Sequence, residues 1–467
     1  MRRVENILAW ISFSLLLFAI ITAPWFFGAW EMWWFWPFTS IIFASTLFFA
    51  LRILVRSNNS NEDYETFSLF SGAGLTLLSF TIFLIYAAIR FMQAEVFMNA
   101  ERSFLLFLTP FLIGINILFG LNIRQRRILW IALFVNLFAL GLYGIINHFI
   151  TGDKLVMWAD GYKQYYNDHR ATGSYFCPDH FSGVMELGLC MAIPLIIDLR
   201  SSRWWRLAGI VMSILTISGI LLSKSRGGGL TILIIGLAVI IWGGTQLPKS
   251  VRWNLRGAAI LLGIAMLLSF SFIETRYTQR FKSYFGNEHK NKTSFIEKKE
   301  TIIKQLKQTS RGRMYGGAIR AWQSSPIFGI APGMHQNLWF HFAATDDGDK
   351  ENNIWPSMTN HYFHSYEVHS DWLQLLEEYG IVGFILFLIP FMLWFNLLRK
   401  NLPDEEEIST RTEYPPLFTA SLAGILACVC MGFHSFGDFN LQMPATTWML
   451  AAIIILPSTT CNFGRKL

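Results

Sequence analysis

The sequence predicts an all-α polytopic membrane protein, with about twelve helices crossing a bilayer and a large polar loop ahead of the last three. Three observations carry this. Only 15% of the 467 residues are charged and 53% are hydrophobic, whereas a soluble domain carries roughly 25% charged residues; mean hydropathy is +0.39. The 18 Trp and 42 Phe form the aromatic excess that sits at membrane–water interfaces. Apolar runs of about 20 residues, the length that crosses the hydrocarbon as a helix, recur along the chain. These features exclude a disordered chain and a disulfide scaffold and argue against a soluble enzyme.

The runs fall at 6–26, 36–55, 69–89, 103–121, 128–149, 181–198, 206–223, 227–243, 257–273, 380–397, 416–434 and 445–460. Each is expected to be a helix, because hydrocarbon offers backbone groups no water to bond. Met1-Arg2-Arg3 leads into the first run without a small-residue cleavage signature, which reads as a retained helix rather than a removed leader. Cys190, Cys428, Cys430 and Cys461 lie in or beside apolar runs and Cys177 stands alone in a polar segment. No cysteine spacing suggests a zinc site or a bridged framework.

An even number of spans puts both termini on one side. That side holds Arg2, Arg3, Arg52, Arg56, Arg124, Arg126, Arg127, Arg200, Arg203 and Arg206, then Lys249, Arg252, Arg256, Arg399, Lys400, Arg411, Arg465 and Lys466. The opposite short loops hold fewer: Arg90, Arg102, Lys154, Lys163, Arg170, Lys224 and Arg226. Excess Lys/Arg marks the cytoplasm, so both termini are expected inside. The net charge of +7 is then largely topological, and no nucleic-acid partner is expected. Two large segments fall outside, 150–180 and 274–379. The chain divides into 1–273 with nine helices, an outer loop domain at 274–379, and 380–467 with three helices and a tail. A polar insertion as long as 274–379 is usually functional. The acidic run Asp404–Glu407 reads as a solvated inner loop.

Ser223-Lys224-Ser225-Arg226-Gly227-Gly228-Gly229 closes the seventh helix and opens the eighth. Three glycines permit a tight turn with bared N–H groups, and a helix start with Arg226 and Lys224 beside it suits an anion such as a pyrophosphate. The plainer alternative is a hairpin whose cations meet lipid phosphates. In the outer loop, Arg311 and Arg313 open an Arg-rich helix that runs to the turn Pro326–Gly333; they supply either a second cation for a phosphate-bearing substrate or a solvated face. His369-Ser370-Asp371-Trp372 begins a helix with Trp372, Leu375, Leu376 and Tyr379 on one face and Asp371, Gln374 and Glu378 on another. His369 falls in its first turn, where a neutral imidazole could accept a proton from a hydroxyl; the alternative is a capping or packing histidine. Asp438, in the last outer turn, either orients a partner or is a plain polar turn. His361, His364, His369 and Glu367 crowd together without the spacing of a known metal site. Asp347 and Asp349 mimic an acidic metal-binding pair but lack the strand–helix alternation of such enzymes. No metal or cofactor is expected.

Over 170–445 the ordered motifs resemble the O-antigen ligase/polymerase superfamily of Wzy-type membrane glycosyltransferases. The pieces are Gly173–Gly183, Ser225-Arg226-Gly227-Gly228, Arg311 fifteen residues before Pro326, His369 with Gly380 and Gly383, and Asp438-Phe439 with Pro444. Arg311 fits the spacing to Pro326 best, with Arg313 a close second. Members usually carry Asn in the Pro-Asn-His segment, where this chain has Asp179 before His180.

The resemblance implies a GT-C-like, multi-pass protein of the bacterial inner membrane with a periplasmic loop. It implies metal-independent, inverting transfer of a glycan from an undecaprenyl-diphosphate carrier to an acceptor hydroxyl. The acceptor is lipid A–core in ligases, a second lipid-linked glycan in polymerases, or protein in O-oligosaccharyltransferases. Carried over by position, Arg226 and Arg311 bind the diphosphate and His369 activates the acceptor. Arg313, Lys224, His180, Asp438 and Asp371 are the further substrate-binding candidates. The reading from another class, a transporter or flippase for a lipid-linked sugar, wants polar or broken helices near the midplane, whereas the charged candidates here gather at the outer edge.

Overall fold

The structure is a computed structural model and describes residues 2–57, 71–152, 169–198, 201–241, 310–343, 364–400, 402 and 417–457. Thirteen α-helices are described, with no strand among these residues. They are α1 Arg2–Thr22, α2 Met32–Ser57, α3 Gly72–Met92, α4 Phe97–Ile115 and α5 Ile123–Thr151. After them come α6 Pro178–Ile197, α7 Arg203–Ser223, α8 Arg226–Ile241, α9 Ser310–Ser324 and α10 His335–Ala343. The last are α11 Asp371–Lys400, α12 Leu417–His434 and α13 Pro444–Ile455. Eight are long and apolar enough to cross a membrane, namely α1 to α7 and α11, while α8, α12 and α13 are shorter apolar helices. Among the described residues the fold is all-helical, and its long apolar helices are those of a polytopic membrane protein. The ninth expected span at 257–273, the boundary at 273/274, the first part of the outer loop, Asp347, Asp349, His361, Asp404–Glu407 and Cys461 lie outside the described residues.

α6 is the hub. Of its apolar stretch 83% is buried inside the protein, against 22% to 50% for the other seven spans. α5, α7, α8, α12 and α13 all pack against it. A helix hydrophobic all round is buried, and α6 carries apolar residues on every face. The one large core links α1, α2, α4 to α7, α12 and α13 through Leu16, Trp130, Met185 and Trp448. A smaller aromatic cluster of Phe83, Tyr379 and Leu375 joins α3 to α11. Cys177, Cys190, Cys428 and Cys430 are buried and free.

α11 is two helices joined at a kink at Gly380, whose φ of 66° and ψ of −174° suit glycine alone. The break strips backbone groups of their helical partners, and the turn Pro326–Ala331 satisfies them. Ile330 and Ala331 N–H groups donate to the Glu377 and Glu378 carbonyls, at 2.9 and 3.1 Å; Ile381 and Val382 donate to Pro326 and Ile327, at 3.0 and 3.2 Å. Irregular backbone near membrane depth is tolerated only where protein covers it, and this turn is that cover. Tyr86 of α3 donates to the Tyr379 carbonyl at 2.7 Å, and Arg90 to the Gly329 carbonyl at 2.9 Å. The Pro/Gly turn that the sequence places after the Arg-rich helix is therefore the clamp on a helix break.

A Cβ on Gly380 or Gly329 would strike backbone of the opposite segment, and both glycines have positive φ. Neither backbone can retreat without losing the four bonds above. Gly380→Ala and Gly329→Ala are each expected to cost about 1–3 kcal/mol or more, read as earlier unfolding on heating in detergent. Gly229→Ala, which meets nothing within 4 Å, is expected to be neutral or slightly stabilising, since alanine is the better helix former.

Candidate active site

The site forms at one end of α6, where the turn after α12, the start of α11 and the starts of α8 and α9 meet. Each contributes through local geometry. Ser370 caps α11, its hydroxyl accepting from the Leu373 N–H at 3.4 Å and donating to the Ser435 carbonyl at 3.2 Å. The Asp371 N–H donates to the Asp438 carbonyl at 3.2 Å. His369 sits two residues ahead of the helix rather than in its first turn, so contact with Asp438 replaces the helix dipole as its defining influence. Its φ is +58°, uncommon for a residue with a Cβ. Tyr315 of α9 holds that backbone by donating to the His369 carbonyl at 2.9 Å.

Asp438 is the focus. It is 1% exposed, and three imidazoles from three elements surround it. His369 Nδ1 lies 3.2 Å from its Oδ1, His180 Nε2 4.0 Å from the same oxygen, and His434 Nε2 3.9 Å from Oδ2. Phe439, whose N–H donates to Asp438 Oδ1 at 2.9 Å, stands edge-on between His180 and His369 with centroid distances of 4.4 and 4.6 Å. Burial opposes charge on Asp438, but the His369 hydrogen bond and the imidazoles outweigh it and hold its carboxyl below the ordinary range. With Nδ1 committed to Asp438, Nε2 is the His369 nitrogen left to meet a substrate; His369 is partly exposed, at 24% of its side chain.

The cations lie around this cluster. Arg311 Nη2 is 3.8 Å from Asp179 Oδ2, and Arg170 Nη2 is 2.8 Å from Asp179 Oδ1. Arg170 also donates to the Ser223 carbonyl at 2.7 Å. Asp179, in the first turn of α6 next to His180, thus joins the outer segment to α9. Arg313 is exposed on α9, away from this contact. Arg226 is exposed at the start of α8, and its neighbour Gly227 abuts His434, with a Cβ there only 2.6 Å from Nε2.

The structure revises the reason for the Gly227–Gly229 run. These residues are helical, and Lys224, at φ 51° and ψ 30°, makes the turn. Gly227 and Gly228 are small because His434 and Ser182 press on them. Ser225 Oγ caps the helix by accepting from the Gly228 N–H at 3.2 Å.

Asp371, expected at the substrate, instead accepts from Ser435 Oγ at 2.8 Å and Leu441 N–H at 3.1 Å; it is 6% exposed. It lines a cavity of about 40 Å³ with Ser103, Glu378 and Tyr379. The histidine-rich run disperses. His364 stacks on Phe340 at 5.1 Å, and Glu367 faces Arg102 at 3.7 Å and accepts from Gln374. Burial pushes the Glu367 carboxyl up, and Arg102 and Gln374 offset part of this. Arg102 lies over the Trp30 ring at 4.1 Å. A second trio has His335 Nε2 2.9 Å from Ser365 Oγ and Nδ1 2.9 Å from Glu377 Oε2. At 2% exposure or less, with Ser365 donating to the Glu367 carbonyl, it pins α10 to α11.

Residues the sequence reading gave no role are His434, Glu186, Arg170 and Tyr315, and Asp179 entered it only as a departure from the Asn of the resembled family. Only Glu186 carried its own signal, as a carboxylate in the middle of an apolar span.

Residues 210–388 match the family model described as O-antigen ligase. The matched stretch contains Arg226, Arg311, Arg313 and His369; His180 and Asp438 lie outside it. That match supports the O-antigen ligase superfamily, and it bears out the resemblance read from the motifs. No curated protein matches the chain.

Because the native Asp438 carboxyl is depressed, its contribution to stability is complete above about pH 4 and fades as acid protonates it. Asp438→Asn is expected to lower heat stability near neutrality and to flatten the decline below pH ~4. A thermal-stability scan against pH in detergent checks this; an unchanged acid decline would show that the carboxylate is not what the imidazoles hold.

Proposed function

We propose that the protein is an inverting, metal-independent glycosyltransferase of the O-antigen ligase type. It would move a glycan from an undecaprenyl-diphosphate carrier to an acceptor hydroxyl on the periplasmic side of a bacterial inner membrane. The observation that carries this is the approach of His369 to Asp438, with Arg311 on Asp179, the chain neighbour of His180, and with the Arg226 helix start against His434. These residues are scattered over more than two hundred positions and meet at one helix end, in a chain whose residues 210–388 match an O-antigen ligase family model.

The chemistry suits the arrangement. An acceptor O–H attacks the anomeric carbon while the bond from that carbon to the diphosphate oxygen breaks, and its proton passes to His369 Nε2. Asp438 steadies the resulting imidazolium through Nδ1. Charge grows on the departing diphosphate, and guanidinium groups placed beforehand stabilise it. Arg226 is exposed and Arg311 only part-buried, so both can meet a lipid-anchored phosphate pair at the membrane edge. The long 3.8 Å contact of Arg311 with Asp179 is of the kind worth ~0–1 kcal/mol, weak enough for a diphosphate to displace. His180, Lys224 and Arg313 belong to the wider substrate surface in this reading, and Asp371 supports the turn that carries Asp438. Lipid A–core is the favoured acceptor by the domain's description; a second lipid-linked glycan would make the protein a polymerase.

Arg226→Ala and Arg311→Ala are each expected to lower transfer by at least ~100-fold, and His369→Ala by ~10²–10⁴-fold, with membrane insertion unchanged. The assay supplies a defined undecaprenyl-diphosphate glycan and compares lipid A–core, lipid-linked glycan and protein as acceptors. Transfer should persist in EDTA; a strict divalent-metal requirement would instead direct attention to Asp347 and Asp349. Full activity in correctly inserted arginine variants would overturn the assignment.

Orientation is tested separately. A reporter joined near residue 340 should read outside and one near residue 126 inside; reversed signals would place the cluster on the wrong face.

A further inference from the structure

Beneath Asp438 a second ionisable pair lies inside the helix bundle. Glu186 sits on α6, about 12 Å along the helix from Pro178 at ~1.5 Å per residue. Its Oε1 is 2.7 Å from His434 Nδ1, and both residues are fully buried. The thiol of Cys430 donates to Glu186 Oε2 at 3.1 Å, and Ser182 Oγ donates to Oε1 at 3.4 Å. On its other side His434 presents Nε2 to Asp438 Oδ2 at 3.9 Å. The resulting order is Glu186, His434, Asp438, His369, running from the bundle interior to the partly exposed imidazole.

A buried carboxylate in a membrane span is costly and marks function unless something else explains it. Core packing does not explain Glu186, because an apolar residue of its size would suit α6 better. Among the described residues the ionisable group that pairs with it is His434. That ring stands between two carboxylates, hydrogen-bonded to Glu186 through Nδ1 and 3.9 Å from Asp438 Oδ2 at Nε2, and flanking negative charge favours the imidazolium.

Resting on the transferase reading, we infer that Glu186 and His434 are positioning residues for the His369–Asp438 pair. Glu186 keeps His434 an imidazolium, and that charge keeps Asp438 ionised and turned so that Oδ1 holds His369 Nδ1. The direction of Asp438's own shift, downward despite burial and with His434 among the causes, agrees with this. The charged and titratable groups facing the chain are few. Around His434 they are Glu186, Asp438 and, further off, Asp179 and His180. Around His369 they are Asp438, His180 and Glu367, with the Tyr315 hydroxyl on its carbonyl. Gly227 closes the α8 side of His434, so no side chain from that helix intervenes.

The test compares His434→Gln and Glu186→Gln with the intact full-length protein in detergent, using the pH dependence of His369 acylation by diethyl pyrocarbonate, read by mass spectrometry. Acylation needs the uncharged ring and no transfer activity. Both variants remove the charge that keeps Asp438 ionised and turned toward His369, so His369 loses its carboxylate partner and both midpoints should move to lower pH by about one unit. The acid limb of glycan transfer should move with them. Glu186→Asp, which keeps a carboxylate, should return the midpoint toward that of the unaltered protein. A purely structural pair would lower transfer equally at every pH and leave the midpoint in place, which overturns the inference. An upward midpoint in His434→Gln also overturns it, because His369 would then keep its carboxylate and lose only a neighbouring positive charge. If His434→Gln does not insert, His434→Asn, equally uncharged and smaller, takes its place. Failure of the transferase reading shows differently: no transfer by the unaltered protein, while the acylation midpoint still reports on the pair.

Discussion

One buried carboxylate organises the candidate site of this protein. Asp438 is expensive to bury, since an ion removed from water costs several kcal/mol unless partners replace the solvent. Its partners come from the start of α6, the end of α12 and the segment before α11, together with the Phe439 N–H. Its own carbonyl accepts from Asp371, the first residue of α11. Displacing Asp438 would therefore strip His369 Nδ1 of its hydrogen-bond partner and leave the neighbouring rings of His180 and His434 without the carboxylate they face. The strained backbone of His369 persists because Tyr315, Ser370 and Asp438 restrain it from three sides.

The break in α11 serves the same end. A continuous helix through 371–400 would carry its first turn straight along the axis of its membrane half. The extended residue at Gly380 redirects the outer half, and that half brings His369 and Asp371 against the turn after α12. The Pro326–Ala331 turn satisfies the backbone left open by the break, which also fixes α9 and α10 beside the site. α9 in turn supplies both Tyr315 and Arg311, so one covering turn couples the helix break to the cation and to the imidazole.

Charge is graded with depth. Glu186, His434 and Asp438 are enclosed, and interactions there are strong because the medium around them is poorly polarisable. Arg311 and Arg226 lie toward the surface, where screening makes existing pairs weak and exchangeable. A rigid interior beneath exchangeable cations is what a site requires if it must bind and then release a charged carrier. Asp179, standing where the superfamily usually has Asn, adds a negative partner that holds Arg170 and Arg311 together.

The helical, membrane-spanning class was legible in composition and in runs of about twenty apolar residues, because hydrocarbon permits no other backbone arrangement for such segments. His369, Arg226, Arg311 and Asp438 were legible as charged or polar residues in small-residue turns, read in order. The role of Gly227 and Gly228 was not: glycine in a turn and glycine beneath a neighbouring side chain look identical in one dimension. Nor could spacing show that, of Arg311 and Arg313 two residues apart on one helix, Arg311 is the one that meets Asp179. The partnership of Glu186 with His434, 248 positions apart, follows no local pattern. Sequence by itself determined that the chain spans a membrane and which side chains could do chemistry, since hydropathy and residue type are local properties. Tertiary structure alone decided which of them share one carboxylate, because that depends on how segments far apart in the chain pack around a single helix end.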